Sequence, residues 1–157
     1  MPAKIFIHGL ESGNQGTKSV FFRERFPDMI IPDFTGNLQK RMEKLNIILS
    51  DKSDIILVGS SFGGLMASLF ALENEPGIKT MVLLAPAINL TEFAPPKNKK
   101  ISVPVQVYLG RRDEVIPLAE VEPVVRRTFT DLTLNIVNDD HFLHNTFTTI
   151  NWEALLA

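Results

Sequence analysis

The stretch Asp54-Ile-Ile-Leu-Val-Gly-Ser-Ser-Phe-Gly-Gly64 constrains this chain most, because it reads as a buried strand turning sharply into a helix through Gly59-x-Ser61-x-Gly63. Ile55 to Val58 form the short, β-branched-rich apolar run expected of a central parallel strand. Leu65-Met-Ala-Ser-Leu-Phe-Ala-Leu72 is helix-forming, with small residues interleaved for close packing. A serine at such a turn takes a strained backbone that lifts its hydroxyl clear of the sheet, while strand and helix nearly collide beneath it. Only residues without a Cβ fit comfortably at the −2 and +2 positions. Because Ser61 also opens a helix, N–H groups and the helix dipole face any anion formed on a carbonyl attacked there. The bare pattern is weak: at roughly 7% usage for each residue type, a chain of this length holds it by chance in about one case in twenty. The alternatives are a tight strand–helix turn without chemistry and a phosphate-binding loop, but the latter calls for a lysine or a longer glycine run, absent here.

Short apolar strands alternate with helical patterns from end to end, the pattern of a parallel α/β sheet. Strands are expected at Lys4–Ile7, Asp28–Pro32, Asp54–Val58, Thr80–Leu84, Val103–Leu109 and Leu132–Val137. Helices are expected at Thr17–Phe26, Asn37–Ser50, from the Ser61 turn to about Glu75, Leu118–Phe129 and Thr146–Leu155. The second of these carries Leu38, Met42, Leu45 and Leu49 on one stripe. Ala87–Ser102, rich in Pro, Asn and Lys, reads as loop.

At 157 residues the chain suggests one domain, 1–157, with one sizeable core. Its 45% hydrophobic and 22% charged content is ordinary for a soluble globular protein. A net charge of −2 favours neither nucleic acid nor an anionic membrane as partner. The Lys97, Lys99, Lys100 cluster reads as a solvated loop. The absence of cysteine excludes disulfides, thiolate metal sites and a cysteine nucleophile. The chain runs directly into Lys4-Ile-Phe-Ile-His8 without a charged segment, long apolar run and cleavage site, so no signal peptide is expected, and no run approaches the roughly 18 apolar residues of a membrane span. A cytoplasmic location is the expectation.

A serine hydroxyl needs a base to take its proton and a third group to orient that base. Three histidines are available. His141, in Val137-Asn-Asp-Asp-His-Phe142, follows the last expected strand, and strand-end loops line the rim where ligands bind in open α/β sheets. His144 reads as a surface residue or an outer partner. His8, at the end of the first strand, either braces its loop by hydrogen bonding or is a buried, satisfied histidine. The acid candidate is Asp113, in Leu109-Gly-Arg-Arg-Asp-Glu-Val-Ile-Pro117, where Gly110 allows the turn and Pro117 suits a first helical turn. Glu114 should point elsewhere, and Asp139 and Asp140 read as solvated or loop-capping. The resulting order is Ser61, Asp113, His141, each just beyond the carboxyl end of an expected strand. Two N–H donors for a developing oxyanion are expected from the backbones of Phe62 and Leu10.

With those residues in hand, the chain resembles a small α/β-hydrolase, similar to the compact bacterial esterases of the YqiA type. The resemblance rests on His8-Gly9, Gly59-Ser-Ser-Phe-Gly-Gly64, Gly110-x-x-Asp113-x-x-Ile-Pro117 and Asp140-His141, which span essentially the whole chain in order. It implies a three-layer fold, a sheet of about six parallel strands with helices on both faces and no large cap domain. It also implies a serine hydrolase with a Ser61–His141–Asp113 triad, cleaving small-molecule carboxylic esters through an acyl-enzyme without cofactor or metal. A thioesterase or amidase would use the same groups, and a non-catalytic binding protein of the same fold is the rival from another class. Larger relatives insert a helical cap after the fourth strand. Here Ala87–Ser102 is only a short insertion, in which Leu90 and Phe93 either line the pocket or pack the loop down.

Overall fold

The computed structural model describes residues 1–97 and 99–157. Five parallel strands form one sheet in chain order: β1 (Ala3–Ile7), β2 (Ile55–Ser60), β3 (Ile78–Leu84), β4 (Val105–Gly110) and β5 (Leu132–Val137). Between them lie α1 (Thr17–Arg25) and α2 (Leu38–Leu49) before β2, α3 (Phe62–Asn74) before β3, and α4 (Leu118–Thr128) before β5; α5 (Trp152–Leu155) closes the chain. Register runs from Ile5↔Leu57 through Leu57↔Met81 and Leu83↔Val107 to Val107↔Leu134, with one shift between β2 and β3 at Ile55/Ile56.

The period of two along each strand divides the core into two layers. Ile5, Ile7, Ile55, Leu57, Met81, Leu83, Val105 and Val107 face α2, α3 and α4. Phe6, Ile56, Val58, Val82 and Leu84 face the opposite side, where Phe22 of α1 and Trp152 of α5 pack. Phe22 meets Trp152 edge-on at 4.8 Å and Phe147 at 5.5 Å, the preferred geometry of aromatic pairs. A three-layer fold results. α3 is buried on nearly all sides, which explains its lack of a polar face.

Two expected elements come out differently. The strand expected at Asp28–Pro32 is a single bridge, Ile5↔Ile30, on the outer side of β1. Ile30 N–H donates to Lys4 at 2.8 Å and Phe6 N–H to Ile30 at 3.0 Å. The next donor along a parallel ladder would be residue 32, and proline has no N–H. The closing helix expected at Thr146–Leu155 is split into a 3₁₀ turn at Phe147–Thr149 and the short α5. Asn151 starts α5 by capping: its side chain accepts from the Ala154 N–H at 3.2 Å. No helix among the described residues is long and apolar enough to cross a membrane.

Candidate active site

Ser61 joins β2 to α3 with φ 56° and ψ −116°, a conformation that non-glycine residues rarely adopt. Hydrogen bonds pin its peptide: Ser61 N–H donates to Leu84 at 2.9 Å, and its carbonyl accepts from Ala87 and from Gly64, both at 2.9 Å. The glycines beneath it are required by contact. A Cβ on Gly63 would lie 1.9 Å from the Ile7 carbonyl oxygen, and one on Gly59 would lie 2.5 Å from that of Gly63. Helix and sheet touch backbone to backbone there, leaving the serine side chain proud of both.

Asp113 lies in the loop after β4. Its Oδ1 accepts from the N–H groups of Val115 at 2.8 Å and Ile116 at 2.7 Å, so its own loop fixes the carboxylate. Gly110 lets this loop meet the one after β5, since a Cβ there would lie 2.6 Å from the Asp139 carbonyl oxygen. Across that contact, Asp113 Oδ2 lies 2.8 Å from His141 Nδ1, and His141 Nε2 lies 3.0 Å from Ser61 Oγ. A carboxylate only accepts, so Nδ1 carries the proton and Nε2 is left with the lone pair that faces the serine. The carboxylate side chain is 2% exposed, so little water competes for it.

The other histidines go elsewhere. His144 is exposed, with Nδ1 2.6 Å from Asp140 Oδ2. His8 is buried: its Nε2 accepts from the Phe34 N–H at 2.8 Å, so Nδ1 donates to the Gly9 carbonyl at 2.7 Å. Asp33 Oδ1, 3.6 Å from His8 Nε2, makes no ion pair, because that lone pair is already taken. His8 thus both braces the loop after β1 and is buried and satisfied.

Gly9 rests against the serine, where a Cβ would lie 3.3 Å from that of Ser61. Neither the Leu10 nor the Phe62 N–H is taken up by an acceptor among the described residues. The Phe62 ring is buried, with the Arg41 guanidinium 5.6 Å over it. A cleft of about 450 Å³ opens between Gly9, Leu10, Ser61, Val115, His141 and Phe142. Leu90 and Phe93 are absent from its walls. Phe93 is buried in the layer that holds α2, α3 and α4, and Leu90 packs against that layer, so the loop after β3 folds onto the core rather than over the serine.

The profile of the dienelactone hydrolase family matches residues 14–136, most of the chain. The chain belongs to the dienelactone hydrolase family. The match bears out the expected α/β-hydrolase superfamily and does not reach the finer YqiA-type likeness drawn from the motifs. No curated protein sequence matches it. Among solved structures it is similar to mouse alpha/beta hydrolase domain-containing protein 10, with TM-score 0.77, 20% identity, and 100% of this chain and 91% of that one covered. It is also similar to Est1E from Butyrivibrio proteoclasticus, solved with ferulic acid, at TM-score 0.77, 19% identity and coverage of 99% and 86%. A third likeness is an alpha-beta serine hydrolase homologue from Coxiella burnetii, at TM-score 0.75, 17% identity and coverage of 99% and 83%. The family makes this protein a hydrolase of the α/β fold.

Three further residues shape the site of this family member. Asp139 is buried and organises the His141 loop: Oδ1 accepts from the Asp140 N–H at 2.8 Å, and Oδ2 from the Asn145 N–H at 2.9 Å and from the Thr146 N–H and hydroxyl at 2.8 Å each. Burial pushes its pKa up, but these bonds outweigh burial and hold it below the ordinary 3.8. Asp140 behaves alike, burial being outweighed chiefly by the His144 hydrogen bond. Lys18 of α1 reaches across to donate to the Phe142 carbonyl at 2.8 Å, tying α1 to the His141 loop. Burial lowers its pKa below 10.5 against the opposing pull of Asp140 and Asp139. Among the described residues no cluster of three or more potential metal ligands occurs.

Proposed function

We propose that this hydrolase is a serine esterase acting on carboxylic esters through an acyl-enzyme. Ser61 is the nucleophile, His141 the base and Asp113 the group that orients and stabilises it. The observation that carries this reading is the unbroken relay from Asp113 Oδ2 through His141 to Ser61 Oγ, at 2.8 and 3.0 Å, within the reach proton transfer requires.

In acylation, Ser61 Oγ bonds to the ester carbonyl carbon as its proton passes to His141 Nε2. The carbonyl oxygen becomes an oxyanion, for which the Phe62 and Leu10 N–H groups are the donors. Asp113 holds the imidazolium through Nδ1. Collapse breaks the bond to the alcohol oxygen, which leaves with the Nε2 proton. Water then bonds to the acyl carbon and gives a proton to Nε2, and the second collapse releases the acid and returns the proton to Ser61 Oγ. A thioester or amide would differ only in the leaving atom. The strained φ of Ser61 weighs against a pure binding module, which gains nothing from it.

Turnover of p-nitrophenyl acetate by purified variants tests the assignment. Ser61→Ala and His141→Ala should each lose about 10⁴- to 10⁶-fold in kcat, whereas exposed His144→Ala should change it less than about threefold. A large loss in His144→Ala with His141→Ala intact would overturn the choice of base.

A further inference from the structure

We infer that the substrate's acyl group is uncharged and apolar, of short to medium chain length, and is gripped by a fixed apolar rim around Ser61. This rests on the serine-esterase reading and names its substrate class.

Among the described residues five large apolar side chains are exposed: Met1, Leu10, Ile47, Val115 and Phe142. Three of them, Leu10, Val115 and Phe142, line the single cleft that holds Ser61 and His141. They come from three different loops, after β1, β4 and β5, so no one helix face or packing stripe accounts for their gathering. Isolated exposed apolar residues are ordinary, but a group of them around a concave polar centre marks a ligand surface.

The rim is also held in place. The Val115 N–H is bound by Asp113 Oδ1 at 2.8 Å. The Phe142 N–H is bound by Asp140 Oδ1 at 3.1 Å and its carbonyl by Lys18 at 2.8 Å, and its ring stands edge-on to that of His141 at 5.5 Å. Polar anchors thus keep two apolar side chains, 59% and 53% exposed, from collapsing onto the core. Ordering already made before binding is not charged against affinity.

Charge decides against an anionic acyl group. Lys18 is the cation of the cleft wall, where Glu11 also lies. Its ammonium already donates to Phe142 and is drawn toward Asp140 and Asp139. The cleft wall thus carries one carboxylate and one ammonium that is already engaged, with no net positive charge to hold a substrate carboxylate.

The test is the rate of p-nitrophenyl acetate, butyrate, hexanoate and octanoate, with the p-nitrophenyl hemiester of glutarate against the pentanoate ester. Burial of a methylene supports about fourfold, so on a rim this open kcat/KM should climb about twofold or more per methylene from acetate to hexanoate. The glutarate hemiester should be the poorer of its pair. Val115→Asp and Phe142→Ala should lower the hexanoate-to-acetate ratio at least about threefold, while Ile47→Ser, more exposed than either but outside the cleft, should leave it unchanged. A flat chain-length profile, a glutarate preference, or ratios unmoved in both rim variants overturns the inference. Titration of Ser61→Ala with ethyl acetate and ethyl hexanoate reads the same selectivity without chemistry. Tighter hexanoate binding in a protein that turns over no ester would keep the apolar cleft and sink the esterase.

Discussion

Ser61 carries a backbone conformation of the kind that costs about 1–3 kcal/mol whether or not substrate is bound. Four backbone hydrogen bonds to its N–H and carbonyl, and glycines that let α3 sit on the sheet, hold it there. Gly63 is the most exacting of these positions. In Gly63→Ala the new methyl would lie 1.9 Å from the Ile7 carbonyl oxygen, and no flexible side chain can yield, so the loss of stability should exceed about 3 kcal/mol. Gly77→Ala, where a Cβ meets nothing within 4 Å, should be neutral or stabilising by about 0.5 kcal/mol. Chemical denaturation of the two variants checks the contrast, and equal effects would contradict the contact. The need for glycine on both sides of Ser61 is legible in the sequence because steric exclusion leaves so few residue choices. For Asp139 the loop-capping role was open to view but its burial was not, since an aspartate beside a turn histidine looks the same whether solvated or buried.

The loop from Asn138 to Thr146 is the element on which the base depends, and Asp139 is the polar centre it folds around. Because the folded-state pKa of Asp139 is lowered, the stability it contributes is full above the ordinary aspartate value of 3.8 and is lost as pH falls through the lower folded value. Asp139→Asn keeps one acceptor oxygen where the native loop uses two, so at pH 7 it should cost about 1–3 kcal/mol. The gap from wild type should narrow on titration below about pH 4. Urea midpoints across that range measure it, and a gap that widens in acid would mean that the ionised Asp139 carboxylate does not stabilise the loop. Elsewhere, pattern predicted elements better than it predicted their breaks. The helices expected at Thr17–Phe26 and Leu118–Phe129 agree with α1 and α4 to a residue, because Pro27 stops the first and the apolar spacing of the second is set by the sheet it covers. Pro32 and Asn151 end or split elements through one missing donor and one cap, which hydrophobic periodicity does not register.

Across the whole molecule, parallel strands carry Ser61, Asp113 and His141 to one edge of the sheet, and their order along the chain follows from the strand order β2, β4, β5. That convergence was legible because each residue sits in a loop directly after an apolar run. The wall of the cleft was not. Leu90 and Phe93 looked available in a Pro-rich loop, yet that loop buries Phe93 in the core and ties Ile101 to Phe129 by a bridge. Leu10, expected only as a backbone donor, and Val115 and Phe142, each within two residues of Asp113 or His141, line the cleft instead. Lys18 came from α1, whose sequence gives no sign that it reaches residue 142. Covalent capture shows whether Ser61 is an activated nucleophile. Folded protein treated with a fluorophosphonate should gain the mass of one adduct, mapped to the Ser61 peptide, and Ser61→Ala with an unchanged Tm should gain none. Native protein left unmodified, or an adduct that persists in Ser61→Ala, would rule out Ser61 as the nucleophile.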